Sequence, residues 1–285
     1  MKTIKTAFLL TALTLLLLLL GAAFGGRNGI TLALIVAILM NGIAYFFSDK
    51  IALASAGARP ISREQAPRLY AVMERLAAKA NLPVPKLYLI PEQAPNAFAT
   101  GRNPHHASVA VTEGLMQLMD DEELEGVIAH ELSHVRNYDI LTSSIAATIA
   151  GAISYIAYMG RWGMMFGGGD SREEGRGSGS AIFALLMLFL APLAALLLQL
   201  GISRTREYQA DASGARMVGY PDGLIRALQK LGAYNARIPM DVPPATSSLF
   251  IVAPLSPRQM FSGLFSTHPP LPERIAALKN MTITR

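Results

Sequence analysis

The chain has 285 residues, 52% of them hydrophobic and 16% charged, with a mean hydropathy of +0.35. Those proportions exclude an ordinary soluble domain, and the lack of any cysteine excludes disulfides and thiolate metal sites, leaving His and carboxylate as ligands. The net charge of +5 would suit nucleic acid or anionic lipid, but no Lys/Arg-rich run or nucleic-acid motif accompanies it, so membrane flanks account for it and no nucleic acid partner is expected.

Ala7 to Phe24 is nearly all apolar behind Lys2 and Lys5. Gly21-Ala22-Ala23 offers a small-residue cleavage site, yet the apolar run outlasts a usual signal-peptide core, which favours a retained span. Gly25 to Gly29 predicts a tight turn. Ile30 to Phe47 then predicts a second span, closed by Tyr45-Phe46-Phe47 as an interfacial belt, so residues 1–47 are expected to hold two transmembrane helices.

Residues 48–139 change character, with Lys50, Arg59, Arg63, Arg68, Lys79 and Lys86 following in short order. Ser62 with Gln65 reads as a capping box opening a helix to about Ala80, which Asn81-Leu82-Pro83 stops. Lys86 to Ile90 reads as a strand. Asn96-Ala97-Phe98-Ala99-Thr100-Gly101 follows, then a turn at Arg102-Asn103-Pro104, a second strand from Ser108 to Thr112 and a short helix from Glu113 to Met119. His105 and His106 read as turn residues rather than ligands.

The next helix carries the chemistry. Asp120 or Asp121 can cap it, acidic residues fill its first turn, and Leu124, Val127, Ile128 and Val135 recur at helical spacing. On that helix His130 and His134 lie four apart, one turn along the same face, within His130-Glu131-Leu132-Ser133-His134. Two imidazoles so spaced can converge on one zinc ion, and Glu131 falls beside them, able to take a proton from water. With only five His in the chain, chance spacing on a surface helix is a poor account.

Residues 140–202 predict a membrane hairpin: Ile140 to about Phe166 and Ala181 to Ile202 are long apolar runs around the polar, Gly-rich loop 167–180. Residues 203–285 return to soluble character, with helices from about Thr205 to Val218, Asp222 to Tyr234 and Pro272 to Asn280, and an irregular, mobile Ile238 to Ser266. The fold class expected is a multi-pass α-helical membrane protein with a cytoplasmic α+β zincin-like metalloprotease domain, mainly helical with a small sheet. Lys2, Lys5, the cations after Phe47, and Arg204, Arg206 and Arg216 share one side of the membrane; Arg27, Arg161, Arg172 and Arg176 lie opposite. The positive-inside rule makes the first side cytoplasmic.

A catalytic zinc wants three protein ligands and an open position, so a third ligand must come from elsewhere. Just after the last span, Glu207 and Asp211 are again four apart on one helical face. Either can bind metal while the other takes a hydrogen bond from the far nitrogen of a zinc His; a solvated face paired with Arg204 and Arg206 is the alternative.

These motifs (the His-Glu-x-x-His helix leading into a span, Arg204-Thr205-Arg206-Glu207-Tyr208-Gln209-Ala210-Asp211 after the next span, Asn96 to Gly101, and Thr267-His268-Pro269) together resemble the HtpX family, bacterial heat-shock-inducible membrane zinc metalloproteases related to the CAAX prenyl endopeptidases. The resemblance covers essentially the whole chain. It implies one Zn2+ on His130, His134 and Glu207, with Glu131 as general base and Asp211 orienting a ligand. It further implies an edge strand at Ala107 to Thr112 that holds substrate, with Asn96, Ala97, Phe98, Val109, Ala110 and Val111 as binding residues. His268 and Arg274 are implied as the pair facing the oxyanion. Misfolded membrane proteins as substrates, the bacterial inner membrane as location and cytoplasmic termini come from the same source. A processing protease for dedicated CAAX-like peptides, or a non-catalytic zinc-bearing scaffold, are the competing readings; the intact Glu131 argues against the scaffold.

Overall fold

The computed structural model describes residues 4–166, 203–235, 237, 240, 242, 244–252 and 268–282. The chain opens with α1 (Ile4–Ser55), helical but for Gly26, whose φ of 54° and ψ of −137° only glycine adopts without strain. There the helix doubles back. Asn41 Nδ2 donates to Thr14 Oγ1 at 2.8 Å, and a Cβ on Gly29 would lie 2.1 Å from the Gly21 carbonyl, so the two limbs touch backbone to backbone near the turn. The second limb continues past Phe47 to Ser55, and Gly26–Ser55 is long and apolar enough to cross a membrane; Thr6–Leu19 and Asp139–Ile153 are apolar but shorter.

The catalytic half is built from α2 (Pro67–Ala80), α3 (Glu113–Leu118), α4 (Asp121–Asn137), α5 (Asp139–Phe166), α6 (Arg204–Val218), α7 (Asp222–Asn235), α8 (Pro244–Ser247) and α9 (Leu271–Lys279). Gln65 Oε1 does take the Ser62 N–H at 3.0 Å, but this pair closes a turn before the helix, because Pro67 sets the first helical position. Strands β1 (Arg59–Pro60), β2 (Lys86–Ile90), β3 (Ala97–Gly101) and β4 (Ala107–Thr112) form one sheet in the order β1-β2-β4-β3. The β2–β4 pair is parallel and the other two are antiparallel.

α4 runs through the middle of the main core, buried on nearly every side. Its start has the capping box the sequence invites: Asp120 Oδ1 accepts the Glu123 N–H at 2.8 Å and Glu123 Oε2 accepts the Asp120 N–H at 2.9 Å. Leu124, Val127, Ile128, Leu132 and Val135 pack against α2, the sheet and α7, each burial worth about 1.5–3 kcal/mol. Glycines let neighbouring backbones close in. A Cβ on Gly126 would sit 2.6 Å from Leu224 N, and one on Gly214 would sit 3.0 Å from His130 N.

Tyr138, in the left-handed conformation at φ 62°, caps α4 and turns the chain into α5. α5 packs on both limbs of α1 through Leu9, Leu13, Ala44, Ile145 and Ile149, and Thr6 and Thr142 share a 3.0 Å hydrogen bond. The remainder of the expected hairpin, loop 167–180 and Ala181 to Ile202, lies outside the described residues. Within the expected mobile stretch from Ile238 to Ser266, residues 253–266 also lie outside them, but the preceding part corrects the expectation. Phe250 is fully buried, edge-on to Phe98 at 5.0 Å, in a cluster with Met240 and Ala110. Met240, Leu249, Phe250 and Ile251 found apolar partners, so these described residues are packed.

Candidate metal centre

His130, Glu131 and His134 come from the middle of α4, and Glu207 and Asp211 from the first turns of α6, which crosses α4 where Gly214 admits close approach. The donor atoms of His130, His134 and Glu207 form a small triangle. Nε2 to Nε2 is 3.2 Å, His134 Nε2 to Glu207 Oε1 is 3.5 Å and His130 Nε2 to Glu207 Oε2 is 3.8 Å. A tetrahedral zinc with bonds of about 2.0–2.1 Å separates its ligands by roughly 3.3–3.4 Å, so the triangle fits that ion with only small adjustments. Among the described residues this is the one cluster that could hold a metal.

Each imidazole is oriented from behind. His130 Nδ1 lies 2.8 Å from Asp211 Oδ1, and His134 Nδ1 lies 3.3 Å from Asp139 Oδ2. A proton on each Nδ1 leaves the Nε2 lone pair facing the triangle. Asp139 is the residue that sequence reasoning missed. It stands five after His134, off the helical face, and reaches back only because Tyr138 breaks the helix; Arg206 Nη1 holds its other oxygen at 3.3 Å.

The electrostatics follow the burial. Burial pushes the Glu131 carboxyl up to about 7, despite His134 and the bond it accepts from the Ala99 N–H. Burial also opposes ionisation of Glu207, but His268, His134 and Arg274 outweigh it and hold this carboxyl well below the usual range. Asp211 is likewise lowered, with Arg274 and His130 overcoming its desolvation. Burial pushes His130 down, whereas His134, less deeply buried, is raised against its own desolvation to about 9 by Asp139, Glu207 and Glu131.

His268 stands on the wall of the site, with Nδ1 3.0 Å from Glu207 Oε2 and Nε2 3.2 Å from the Ser248 carbonyl. Arg274 lies behind that wall, with Nη1 3.7 Å from Glu207 Oε2. Fully buried, Arg274 donates from Nε and Nη2 to Asp211 at 2.8 and 2.7 Å and from Nη1 to the Ile251 carbonyl at 2.8 Å. In this structure its donors go to Asp211, to the Ile251 carbonyl and toward Glu207, so Arg274 stands behind the ligands, and its expected part beside the oxyanion is left to a test by substitution.

The sheet corrects a second expectation. β4, with Val109, Ala110 and Val111, is not an edge: β2 pairs with one side of it and β3 with the other, so it has no backbone groups left for an added strand. The edge beside the metal triangle is β3, Ala97 to Gly101. Ala97 gives its carbonyl to the Ile251 N–H at 2.9 Å, Ala99 lines the same cavity as Glu131, and Phe98 is buried in the sheet's other packing layer. Asn96 lies just before this strand, its Nδ2 donating to the Val252 carbonyl at 2.7 Å. Ala99, Glu131, His134, Glu207, Ser248, Leu249 and His268 enclose a cavity of about 30 Å³, room for about two waters. His105 and His106 lie well apart from it, in a short 3-10 turn where His106 Nδ1 meets Asn103 Oδ1 at 2.9 Å.

The chain is similar to known proteins over most of its length. The profile of peptidase family M48 matches residues 63–282. The chain is 56% identical over 275 residues to "Protease HtpX homolog" of Desulfatibacillum aliphaticivorans, covering 96% of this chain and 88% of that protein. It is 51% identical to the protein of the same description from Syntrophobacter fumaroxidans, covering 97% of this chain and 98% of that one. Among solved structures, S. mikatae Ste24p is similar in fold with a TM-score of 0.51 at 24% identity; the match covers 97% of this chain and 64% of the Ste24p chain.

Proposed function

The chain belongs to peptidase family M48, a family of metalloproteases, and on that premise we propose a zinc-dependent endopeptidase that cleaves misfolded or damaged membrane proteins on the cytoplasmic side of a bacterial inner membrane. The observation that carries the chemistry is Glu131, on the wall of the same small cavity as His134 and Glu207. His130, His134 and Glu207 would hold the zinc, which would supply Lewis-acid polarisation of a peptide carbonyl and acidify water. Asp211 and Asp139 keep both imidazoles in the ligating tautomer and orientation. Glu131, with its affinity for protons raised by burial, accepts the proton of the attacking water and passes it to the departing amine nitrogen. His268, on the cavity wall, would face the carbonyl oxygen as charge builds there by turning Nε2 away from the Ser248 carbonyl, 3.2 Å from it in this structure.

An extended peptide would add to the outer edge of β3, where the Ala99 backbone lies beside Glu131. The space of about 30 Å³ is far smaller than a peptide, so substrate entry would need part of its wall, such as Ser248 and Leu249, to move. The membrane assignment draws support from the long apolar second limb of α1 and from the HtpX relatives. The Thr6–Thr142 bond, with the start of α1 beside the start of α5, supports a start of α1 on the same side as the metal-binding domain.

The deciding experiment measures zinc content and casein cleavage for the wild type and Glu131→Gln. The variant should keep its zinc and lose turnover, and chelation should silence the wild type. Zinc-bearing wild-type protein that cleaves nothing would favour the scaffold; cleavage by Glu131→Gln at the wild-type rate would remove Glu131 from the chemistry.

A further inference from the structure

Away from the metal, the domain end of α1 helps to form a second cavity, of about 280 Å³. Lys50 of α1, Lys86 at the start of β2 and Arg102 just after β3 all line it, and Asp49 is the one carboxylate on its wall among the described residues. His105 and His106 complete the polar rim. Among the described residues none of these three cations has an ion-pair partner, whereas Arg68, Arg75, Arg226 and Arg274 are each paired with a carboxylate. Three cations on one concave wall outnumber the Asp49 carboxylate there, and a further anion would relieve their mutual repulsion.

The position of the cavity says where that anion comes from. It begins at Phe46, in the exposed aromatic belt Tyr45-Phe46-Phe47 that ends the apolar stretch of α1, so it lies at headgroup depth. The Arg102 guanidinium sits 5.9 Å from the Phe46 ring centre and Lys50 Nζ 5.3 Å from that of Phe47, which holds both cations at the belt. Ile43 and Phe47, below Lys50 on the same helical face, are exposed and apolar. They offer an acyl chain a surface directly beneath the cations. Another basic cavity, lined by Lys79, Arg136 and Arg216, lacks this setting: its cations occupy the last turns of α2, α4 and α6, where the helix dipoles account for them.

We propose that the cavity at Lys50, Lys86 and Arg102 binds the phosphate of an anionic phospholipid. The Arg102 fork can take two phosphate oxygens, and the two ammonium groups neutralise the rest. Because Lys86 begins β2 and Arg102 follows β3, a headgroup bound there ties the catalytic sheet to the membrane surface.

The test titrates full-length detergent-solubilised protein with fluorescently labelled dioleoylphosphatidylglycerol and, separately, with its phosphatidylcholine counterpart. Each of Lys50→Gln, Lys86→Gln and Arg102→Gln should weaken phosphatidylglycerol binding about fivefold, and the triple variant about a hundredfold. Phosphatidylcholine should bind the wild type and the triple variant alike, and an unchanged melting temperature in phosphatidylcholine shows the variant to be folded. The matched triple Lys79→Gln, Arg136→Gln, Arg216→Gln should bind phosphatidylglycerol as the wild type does. An equal loss in that matched variant would mean diffuse charge and overturn the site, as would wild-type affinity in the Lys50/Lys86/Arg102 triple. Full displacement of the lipid by millimolar inorganic phosphate would identify a free-anion site and overturn the lipid.

Discussion

Replacing Arg274 by Met tests whether this residue serves the metal centre from behind. The guanidinium is fully buried and makes two bonds to Asp211 and one to the Ile251 carbonyl. Met fills similar space with no donor. Asp211 would keep only the His130 Nδ1 contact at 2.8 Å, and the Ile251 carbonyl would lose the Arg274 bond. Breaking a buried ion pair from one side costs about 3–5 kcal/mol. For a folded unit of this size each kcal/mol is about 2–4 °C, so the melting temperature should fall by roughly 6–20 °C. Because Asp211 orients His130, zinc affinity should fall by about 10–100-fold as well. Adding Asp211→Asn should recover part of the lost stability, since it removes the stranded charge. Thermal unfolding followed by tyrosine fluorescence and chelator competition for zinc measure the two effects. If Arg274→Met melted and held zinc like the wild type, and only kcat fell, Arg274 would belong against the substrate and the argument would fail.

Glu207→Ala should strip a ligand and abolish stable zinc binding, while Asp211→Asn should retain the metal with affinity lowered about 10–100-fold; metal analysis after dialysis separates the two, and the reverse order would exchange their roles. Asp139→Asn should resemble Asp211→Asn by acting on His134, and equal zinc affinity to the wild type would deny it that role. Gly223→Ala would set a Cβ 2.2 Å from the Glu122 carbonyl and push α7 away from α4, with an expected loss of about 1–3 kcal/mol in thermal unfolding. Phe250→Ala should remove the edge-on contact with Phe98, costing about 3–5 kcal/mol, and loosen the Ser248–Val252 cover, so that a chelator extracts zinc faster. An unchanged extraction rate would show that Phe250 does not hold that cover closed.

The sequence by itself determined whatever depends on neighbours a turn apart. The His130, Glu131 and His134 face, the Asp120–Glu123 box and the Glu207–Asp211 pair are all encoded by helical spacing, and the structure shows each on its helix. Apolar runs likewise announced the limbs of α1 and the start of α5. The tertiary structure decided what depends on residues far apart in the chain. β4 reads the same whether it lies at an edge or inside; pairing with β2 and β3 put it inside and left β3 beside the metal. Glu207 and Asp211 were interchangeable in sequence, and the angle at which α6 crosses α4 set one at the Nε2 side and the other at Nδ1 of His130. Asp139 reaches His134 only through the left-handed turn at Tyr138, and Arg274 faces Asp211 only because α9 packs against α6. Local backbone geometry repeats with the residues and can be read from them. Which surfaces meet is settled by the burial of the whole core, and no short stretch carries that information.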